Sequence, residues 1–407
     1  MTGIATEADA IAAKPGTFWL YSARALRGFG DGFAIIILPA YLTALGHDAA
    51  AVGIVATASL LGTALFTLAV GLIAPRHDLR TLMLFGAGLM IATGIAFPQF
   101  EHLLLIALVA FIGTINPSAG DLGVLVPLEH AMLARGAADE DRTRIFARYS
   151  LIGALSTAIG SLASSLPDML VSAGLTWLGA LRLMFYAYAG LGLVSAVLYR
   201  RLPHARAEAQ SSAPLGPSRR TVYRLAALFS IDAFAGGFVA QSLLVLWLIE
   251  RFDLSLSAAG LFFFWASTLS AFSYLVAAWL AKRIGLVNTM VFTHIPSSVF
   301  LIVAAFAPNL HVALALLSLR AALSQMDVPT RTSYVMAVVT PAERPAAASV
   351  TAVPRSLASA VSPAIAGVLL MTSLSGLPLI LCGTLKIAYD LALLVSFRHV
   401  KPPEEAA

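Results

Sequence analysis

Twelve apolar stretches, each about as long as a membrane-spanning helix, follow one another along this 407-residue chain. A helix needs ~20 residues to cross the ~30 Å hydrocarbon core of a bilayer. Apolar residues make up 59% of the chain and charged residues 12%, whereas soluble domains have about 45–50% and about 25%. A membrane-embedded helical protein is therefore predicted. The stretches lie at residues 18–45, 51–74, 79–98, 103–133, 145–166, 175–199, 225–248, 258–281, 286–307, 310–339, 346–371 and 377–397.

The chain also contains an internal repeat. The Val-Pro pair at 126–127 recurs 202 residues later at 328–329, and the acidic-basic pair at 141–142 recurs at the same spacing at 343–344. A repeat of about half the length in so apolar a chain is typical of transporter folds, whose binding site lies between two related bundles. We therefore predict an all-α membrane protein with twelve transmembrane helices in two pseudo-symmetric six-helix bundles.

The basic residues predict how the chain is organised and oriented. Lys and Arg concentrate on alternate connections, which indicates that both termini are cytoplasmic. The formal charge of +5 is explained by this bias, and no nucleic-acid partner is expected. We expect a multi-pass protein of a bacterial-type cytoplasmic (inner) membrane. Its predicted parts are an N-terminal tail (1–17), a first bundle (18–199), a flexible linker (200–220), a second bundle (221–398) and a C-terminal tail (399–407).

Three segments carry a resemblance to a known family. They are the Gly-rich basic loop Gly-Leu-Ile-Ala-Pro-Arg-His-Asp-Leu-Arg at 71–80, its counterpart Leu-Ala-Lys-Arg-Ile-Gly at 280–285, and the segments 320–329, 341–344 and 362–367 of the tenth and eleventh spans. In these segments the chain resembles the major facilitator superfamily, and most closely its efflux-type branches. The resemblance implies a secondary transporter in which two bundles rock about a central site. Such a protein is driven by an ion gradient, and we expect it to need no cofactor beyond a proton gradient.

Charged residues inside the predicted spans are candidates for proton coupling, because a charge at mid-bilayer costs at least ~2.5–3.5 kcal/mol. Asp31 lies in the first span with Arg27 one turn before it. Asp31 is either the proton carrier or the partner of Arg27 in a fixed ion pair. Arg320, deep in the tenth span, is expected to contact substrate or to pair with Asp31 or Asp232.

A second set of charged residues is predicted to form a latch that closes the inner gate. Asp327 and Arg331 lie near the cytoplasmic end of the tenth span, on one stripe with Arg320. Glu129 is expected to meet a basic loop residue such as Arg76 or Arg142. The predicted latch comprises Arg76, Asp121, Glu129, Arg142, Arg283, Asp327, Arg331 and Arg344.

The candidates for the substrate cavity are Gln241, Tyr274, Arg148 and Arg355. The two arginines are expected either to attract anions into the cavity or to face lipid phosphates at the inner surface. Two further basic residues, Arg182 and Lys386, occupy equivalent points of the sixth and twelfth spans. We expect both either to extend toward the outer headgroups or to form a paired basic site for an anionic substrate.

The sequence favours transport over catalysis. No second histidine follows His130 at metal-ligand spacing, and no Gly-x-Ser-x-Gly motif with triad partners occurs, so neither an enzyme nor a metal site is expected. We predict proton-coupled efflux of a small amphipathic compound by a monomer whose partners are its substrate and the lipid bilayer. The alternatives are proton-coupled uptake of a small organic anion and, in a different class, a transporter-like receptor that translocates nothing.

Overall fold

The computed structural model describes residues 16–118, 123–135, 139–206 and 214–399, except for the side chains at 139–143 and 341. The described part is helical, and we number its α-helices in chain order. They are α1 (Thr17–Ala44), α2 (Ala49–Ile73), α3 (Leu79–Ala96), α4 (Leu103–Ile112), α5 (Leu125–Ala134), α6 (Asp139–Leu162), α7 (Leu166–Ser172), α8 (Trp177–Arg200), α9 (Arg219–Gly237), α10 (Gln241–Phe252), α11 (Leu256–Ile284), α12 (Leu286–Ala304), α13 (Leu310–Ser324), α14 (Asp327–Ala337), α15 (Arg344–Leu370) and α16 (Leu377–Phe397).

These helices form the predicted membrane spans. Within the described residues, eleven spans are long and apolar enough to cross a bilayer, and the shorter apolar helices α4 and α5 make up the remaining one. The pairs α6–α7, α9–α10 and α13–α14 each build one span from two helices. The twelve-helix fold predicted from the sequence is confirmed.

The fourth span differs from the continuous helix expected over 103–133. Helix α4 ends at Ile112, and Gly113 has the extended backbone angles φ −77° and ψ −175°. Pro117 contributes to this break, because a proline has no N–H to donate and disfavours helical geometry at the residue before it. Its carbonyl oxygen accepts a hydrogen bond of 3.1 Å from the N–H of Ser242, in the first turn of α10. A backbone carbonyl at the break in the fourth span thus accepts a hydrogen bond from a backbone N–H at the break in the seventh span.

Three hydrophobic cores show how the two bundles meet. We call the side on which α1 begins and α16 ends the terminal side, and the other the distal side. The largest core joins both bundles and includes Leu42 and Val52 with Leu256 and Leu370, which lie at the distal ends of their helices. The other two cores lie on the terminal side, and each is confined to one bundle. The two bundles therefore share one hydrophobic core on the distal side, whereas on the terminal side each bundle has a core of its own.

Close helix contacts at glycine repeat in the two bundles. A Cβ atom added to Gly32 of α1 would lie 2.2 Å from the carbonyl oxygen of Thr157, and one added to Gly237 of α9 would lie 2.5 Å from that of Ser359. Thr157 and Ser359 are 202 residues apart, the spacing of the sequence repeat. The first span therefore packs on the fifth as the seventh packs on the eleventh, and only glycine permits this approach.

Two buried or half-buried acidic side chains on the terminal side bind the described ends of the linker. Asp78 accepts a hydrogen bond of 2.7 Å from the N–H of Ala205. Glu343 accepts hydrogen bonds of 2.7 Å from the hydroxyls of Thr340 and Ser218. These hydrogen bonds lower the pKa of the Glu343 carboxyl to about 2. The linker is therefore held to the first bundle at one end and to the second bundle at the other.

Candidate functional site

A cavity of about 310 Å³ lies between the two bundles. It is lined by α1, α6, α11, α12 and α16, by the last turns of α9 and α13, and by the first turn of α10. Its lining is rich in hydroxyl and amide groups. The polar but uncharged residues that line it are Ser118, Ser150, Thr157, Gln241, Ser267, Ser270, Tyr274, Ser297, Ser298, Ser324 and Gln325. Gln241 and Tyr274, both predicted from the sequence, are therefore part of this wall.

Two polar atoms of the wall have unused hydrogen-bonding capacity. Gln241 Oε1 and Ser298 Oγ are buried, and neither has a hydrogen-bond partner among the described residues. A buried polar group without a partner costs free energy, of the order of 1–3 kcal/mol. A bound polar ligand or an ordered water would supply the missing partners.

The charged groups of the cavity wall are basic. Arg24 and Arg320 line it, as do Lys386 and the titratable side chain of His294, and no carboxylate does so within the described ranges. Arg320 is half-buried, and none of the described ion pairs or side-chain hydrogen bonds involves its guanidinium. The expected pairing of Arg320 with Asp31 or Asp232 is therefore not found in this structure.

The other two arginines of the predicted anion site lie elsewhere. Neither Arg148 nor Arg355 belongs to the described cavity wall. Arg355 is half-buried on α15, and its Nε has no hydrogen-bond partner in the described part of the chain. Arg24, which was not predicted from the sequence, does line the cavity. Gly153 makes room for it, since a Cβ added there would lie 2.2 Å from an Arg24 guanidinium nitrogen.

Arg27 and Glu129 form a buried ion pair between α1 and α5. Tyr149 donates a hydrogen bond to Oε2 of Glu129, and Tyr199 donates one of 2.5 Å to Oε1. The Glu129 side chain has no exposed surface and that of Arg27 is 8% exposed. Two expectations are corrected by this pair. Glu129 binds a residue of the first span and not a loop arginine such as Arg76, and Arg27 is paired with Glu129 and not with Asp31. Only the fold brings α1, α5, α6 and α8 together here.

Asp31, one turn after Arg27 in α1, has a different environment from that arginine. Its Oδ1 accepts a hydrogen bond of 3.3 Å from the hydroxyl of Tyr188, which lies 3.1 Å from Oγ1 of Thr114. Asp31 is half-buried, and none of the described ion pairs includes it. Its carboxylate is thus held by one hydroxyl group and not by a cation of the described ion pairs.

The second bundle contains an equivalent pair with the charges exchanged. Asp232 of α9 binds Arg331 of α14 at 2.9 Å, and Arg331 also binds Asp327 at 2.9 Å. Arg331 stands 202 residues after Glu129, the spacing of the repeat. The first and fourth spans of each bundle are therefore joined by a buried ion pair, with the acid on the fourth span in one bundle and on the first span in the other.

The three charged residues of the tenth span have different environments. The helix is interrupted at Gln325 and Met326, between α13 and α14. Arg320 lies before the interruption and lines the cavity, whereas Asp327 and Arg331 follow it and are buried, and Arg331 binds Asp232. A helical projection at 100° per residue places the three on one stripe but does not give the partner of each.

Three further residues extend this network, and none of them was predicted to belong to it. The Lys386 ammonium lies 2.6 Å from Oδ1 of Asp232 and 3.2 Å from Nε2 of His294. Nδ1 of His294 lies 3.0 Å from the buried carboxylate of Asp390. Lys386 therefore does not extend toward the headgroups as expected. Arg182, its equivalent, does lie at the surface, where it binds Glu101 at 2.7 Å.

The remaining members of the predicted latch lie on the terminal side. Arg76 and Arg344 are exposed, and Arg344 donates a hydrogen bond of 3.2 Å to the carbonyl oxygen of Met336. The Arg283 guanidinium lies 4.2 Å from the ring centroid of Trp279. Asp121 and the side chain of Arg142 lie outside the described residues. A latch that closes the terminal side remains a prediction, since the bundles are separate there in this conformation.

Comparisons with known proteins agree with this architecture. The family model described as Major Facilitator Superfamily matches residues 20–247. A Saccharomyces cerevisiae protein described as "Uncharacterized membrane protein YJR124C" is 24% identical over 419 residues, covering 94% of each chain. The xylose transporter XylE from E. coli in its inward open conformation superposes with a TM-score of 0.74 at 15% identity, covering 96% of this chain and 98% of that one.

Two other transporter structures are similar in fold. The nucleoside transporter NupG has a TM-score of 0.73 at 13% identity, covering 94% of this chain and 99% of that one. A bacterial homologue of the human lysosomal transporter Spinster has a TM-score of 0.67 at 15% identity, covering 94% of this chain and 95% of that one. The family model covers more than half of the chain, and the fold and the central cavity agree with it. This chain is therefore a membrane protein of the major facilitator superfamily and has the architecture of a secondary transporter.

Proposed function

We propose that this protein carries a small organic anion across the membrane by alternating access, together with a proton. The observation that carries the proposal is the position of Arg320. Its guanidinium lines the cavity between the bundles, and no carboxylate among the described residues is paired with it. A buried cation without a counter-ion is costly, and an anionic substrate would supply that counter-ion.

The rest of the cavity wall supports a polar substrate. Its serine, threonine and glutamine side chains offer both donors and acceptors, and Gln241 Oε1 and Ser298 Oγ have no partner within the described part. A ligand pocket normally combines apolar contacts with a few placed polar groups. Here an apolar substrate would leave Arg320 and these atoms unsatisfied, which is why the anion is favoured over an amphipathic compound.

Coupling to a proton follows from electrostatics. Moving one negative charge into a cell that is negative inside costs about 2.3 kcal/mol per 100 mV, and a proton that accompanies the anion cancels this cost. Asp31 is our candidate carrier, because the Tyr188 hydroxyl and not a fixed cation holds its carboxylate. Since the bundles are separate on the terminal side, we propose that this conformation exposes the cavity to the cytoplasm.

Proton-coupled efflux of a small amphipathic compound is the second candidate. One specific observation supports it, which is the apolar part of the cavity wall formed by Val239, Leu244, Phe263 and Leu301. These side chains could pack against the hydrocarbon portion of such a compound. The same surface is compatible with the carbon skeleton of an organic anion, so it does not outweigh the unpaired Arg320.

A flux assay with matched acids and amides tests the proposal. Purified protein in liposomes would be given an inward proton gradient and each of three pairs: succinate and succinamide, benzoate and benzamide, and lactate and lactamide. We expect at least one acid to accumulate while its amide does not. A charge-assisted hydrogen bond contributes about 1.5–3 kcal/mol, so Arg320→Gln should weaken binding of that acid about 10- to 150-fold.

Two further variants control for charge and folding. Arg320→Lys keeps the cation and should retain part of the affinity, whereas Arg182→Gln removes an arginine from the exposed pair with Glu101 and should change nothing. Equal uptake of acid and amide, or an Arg320→Gln protein as active as the wild type, would contradict the anion proposal. An absence of any flux, with binding intact, would favour the non-translocating receptor.

A further inference from the structure

Lys386 of α16 brings a further cation to the cavity, in addition to Arg24 and Arg320. Its side chain is 13% exposed, and it is one of the residues that line the cavity. The ammonium group has three N–H donors. Asp232 Oδ1 takes one at 2.6 Å and His294 Nε2 takes another at 3.2 Å. Within the described part of the chain, no protein acceptor is assigned to the third.

The hydrogen-bond partners of His294 fix its tautomer. An ammonium group can only donate, so Nε2 of His294 accepts from Lys386. The ionised carboxylate of Asp390 can only accept, so Nδ1, 3.0 Å away, carries the imidazole proton. His294 is therefore a neutral acceptor on the Lys386 side. Asp390 orients the imidazole, and the imidazole in turn orients the ammonium group.

The nearest carboxylate is shared between two cations. Asp232 binds Lys386 through Oδ1 and Arg331 through Oδ2, the latter at 2.9 Å. Arg331 has a second acidic partner in Asp327. Because Asp327 also serves Arg331, each of these two cations has a carboxylate partner. What Lys386 offers a further anion is therefore its third N–H donor and not an uncompensated charge.

The space in front of the ammonium group is open. Gly236 of α9 lines the same cavity, and a Cβ atom added to it would lie 3.9 Å from Nζ of Lys386. The nearest side-chain position on that helix is thus left empty. A small acidic group could approach Nζ from the cavity without displacing Asp232 or His294.

We propose that Lys386 is a second anion-binding group of the cavity and that the substrate carries two acidic groups, one for Arg320 and one for Lys386. The inference rests on the proposed function and makes its substrate class narrower, namely a small dicarboxylate, of whose two negative charges the accompanying proton balances one. Asp232 and His294 act as positioning residues, since they hold the ammonium group through which the substrate would be bound. The site belongs to the second bundle alone, because Arg182 of the first bundle is engaged by Glu101 at the distal surface.

Succinate and its half-amide succinamate distinguish one acidic group from two. Calorimetric titration of the purified wild-type protein should show that succinate binds about 10-fold or more tightly than succinamate, as expected for one added charge-assisted hydrogen bond. Lys386→Gln should abolish this preference by lowering the affinity for succinate to that for succinamate. Lys386→Arg keeps the charge and should keep the preference, while Arg320→Gln should weaken both ligands.

Each outcome of the titration decides a different point. A wild-type protein that binds neither compound nor any other acid of the panel overturns the proposed function and this inference with it. A preference for succinate that survives Lys386→Gln overturns the role of Lys386 alone, and so does equal binding of the two ligands by the wild type. If Lys386→Gln does not fold, Asp232→Asn replaces it. The preference should then increase, because the ammonium group loses its internal counter-ion, and an unchanged preference would refute the assignment.

Discussion

Replacing Glu129 with glutamine tests whether the buried network of the first bundle stabilises the fold. Glu129 receives Arg27 as an ion-pair partner and the hydroxyls of Tyr149 and Tyr199 as hydrogen-bond donors. Glutamine keeps the size of the side chain but removes its charge. The Arg27 guanidinium, 8% exposed, would then be buried without a counter-ion.

The expected magnitude follows from the burial of both partners. Breaking a buried ion pair by neutralising one member costs about 3–5 kcal/mol, because the remaining charge is left uncompensated. Removing both charges, with Arg27→Gln and Glu129→Gln together, avoids that penalty. The double variant should therefore lose less than about 2 kcal/mol, and the cycle should show a strong coupling between the two positions.

Equilibrium unfolding by SDS in mixed micelles would measure these differences. The matched control is Glu101→Gln, which breaks the Arg182–Glu101 pair, whose side chains are 33% and 69% exposed. That change should cost at most about 1 kcal/mol, as is usual for an exposed ion pair. If Glu129→Gln is no more destabilising than Glu101→Gln, or if the double variant is worse than either single one, the assigned role of the network is wrong.

Three other predictions concern coupling, packing and pH. Asp31→Asn should abolish accumulation driven by the proton gradient while leaving substrate binding intact, and gradient-driven flux through this variant would exclude Asp31 as the carrier. Gly53→Ala should destabilise the distal contact between the bundles, since the new Cβ would lie 2.3 Å from the carbonyl oxygen of Pro363. Labelling of a cysteine placed in the distal contact should therefore rise. The control Gly88→Ala, whose Cβ would have nothing within 4 Å, should not change the labelling. Hydrogen bonds lower the pKa of Glu343 to about 2. Its contribution to the free energy of unfolding is therefore complete above the ordinary glutamate pKa near 4.5 and is lost as pH falls toward 2. In the Glu343→Gln variant the free energy of unfolding should not show this decrease, and identical pH profiles of unfolding for the two proteins would contradict the prediction.

The sequence predicted the candidate site less completely than the fold. Gln241, Tyr274 and Arg320 were predicted and do lie in the cavity wall, and a basic site was one of the two alternatives for Lys386, but Arg24 was not predicted. Lys386 was compared with Arg182 because the two occupy equivalent points of the repeat. The comparison failed since Asp232 lies within reach of Lys386, whereas the corresponding position in the first bundle, 202 residues earlier, is Gly30.

The membrane fold was determined by the sequence itself. Bilayer thickness fixes the length of a spanning helix, and the spacing of the repeat divides the spans into two bundles. These are properties of consecutive residues, so reading along the chain is enough to find them. The partners of the buried charges were decided only by the tertiary structure. Glu129 and Arg27 are 102 residues apart, and Lys386 and Asp232 are 154 residues apart. A charge in a low-dielectric interior takes the opposite charge that the packed helices bring within reach, and a sequence pattern does not record which helices pack together.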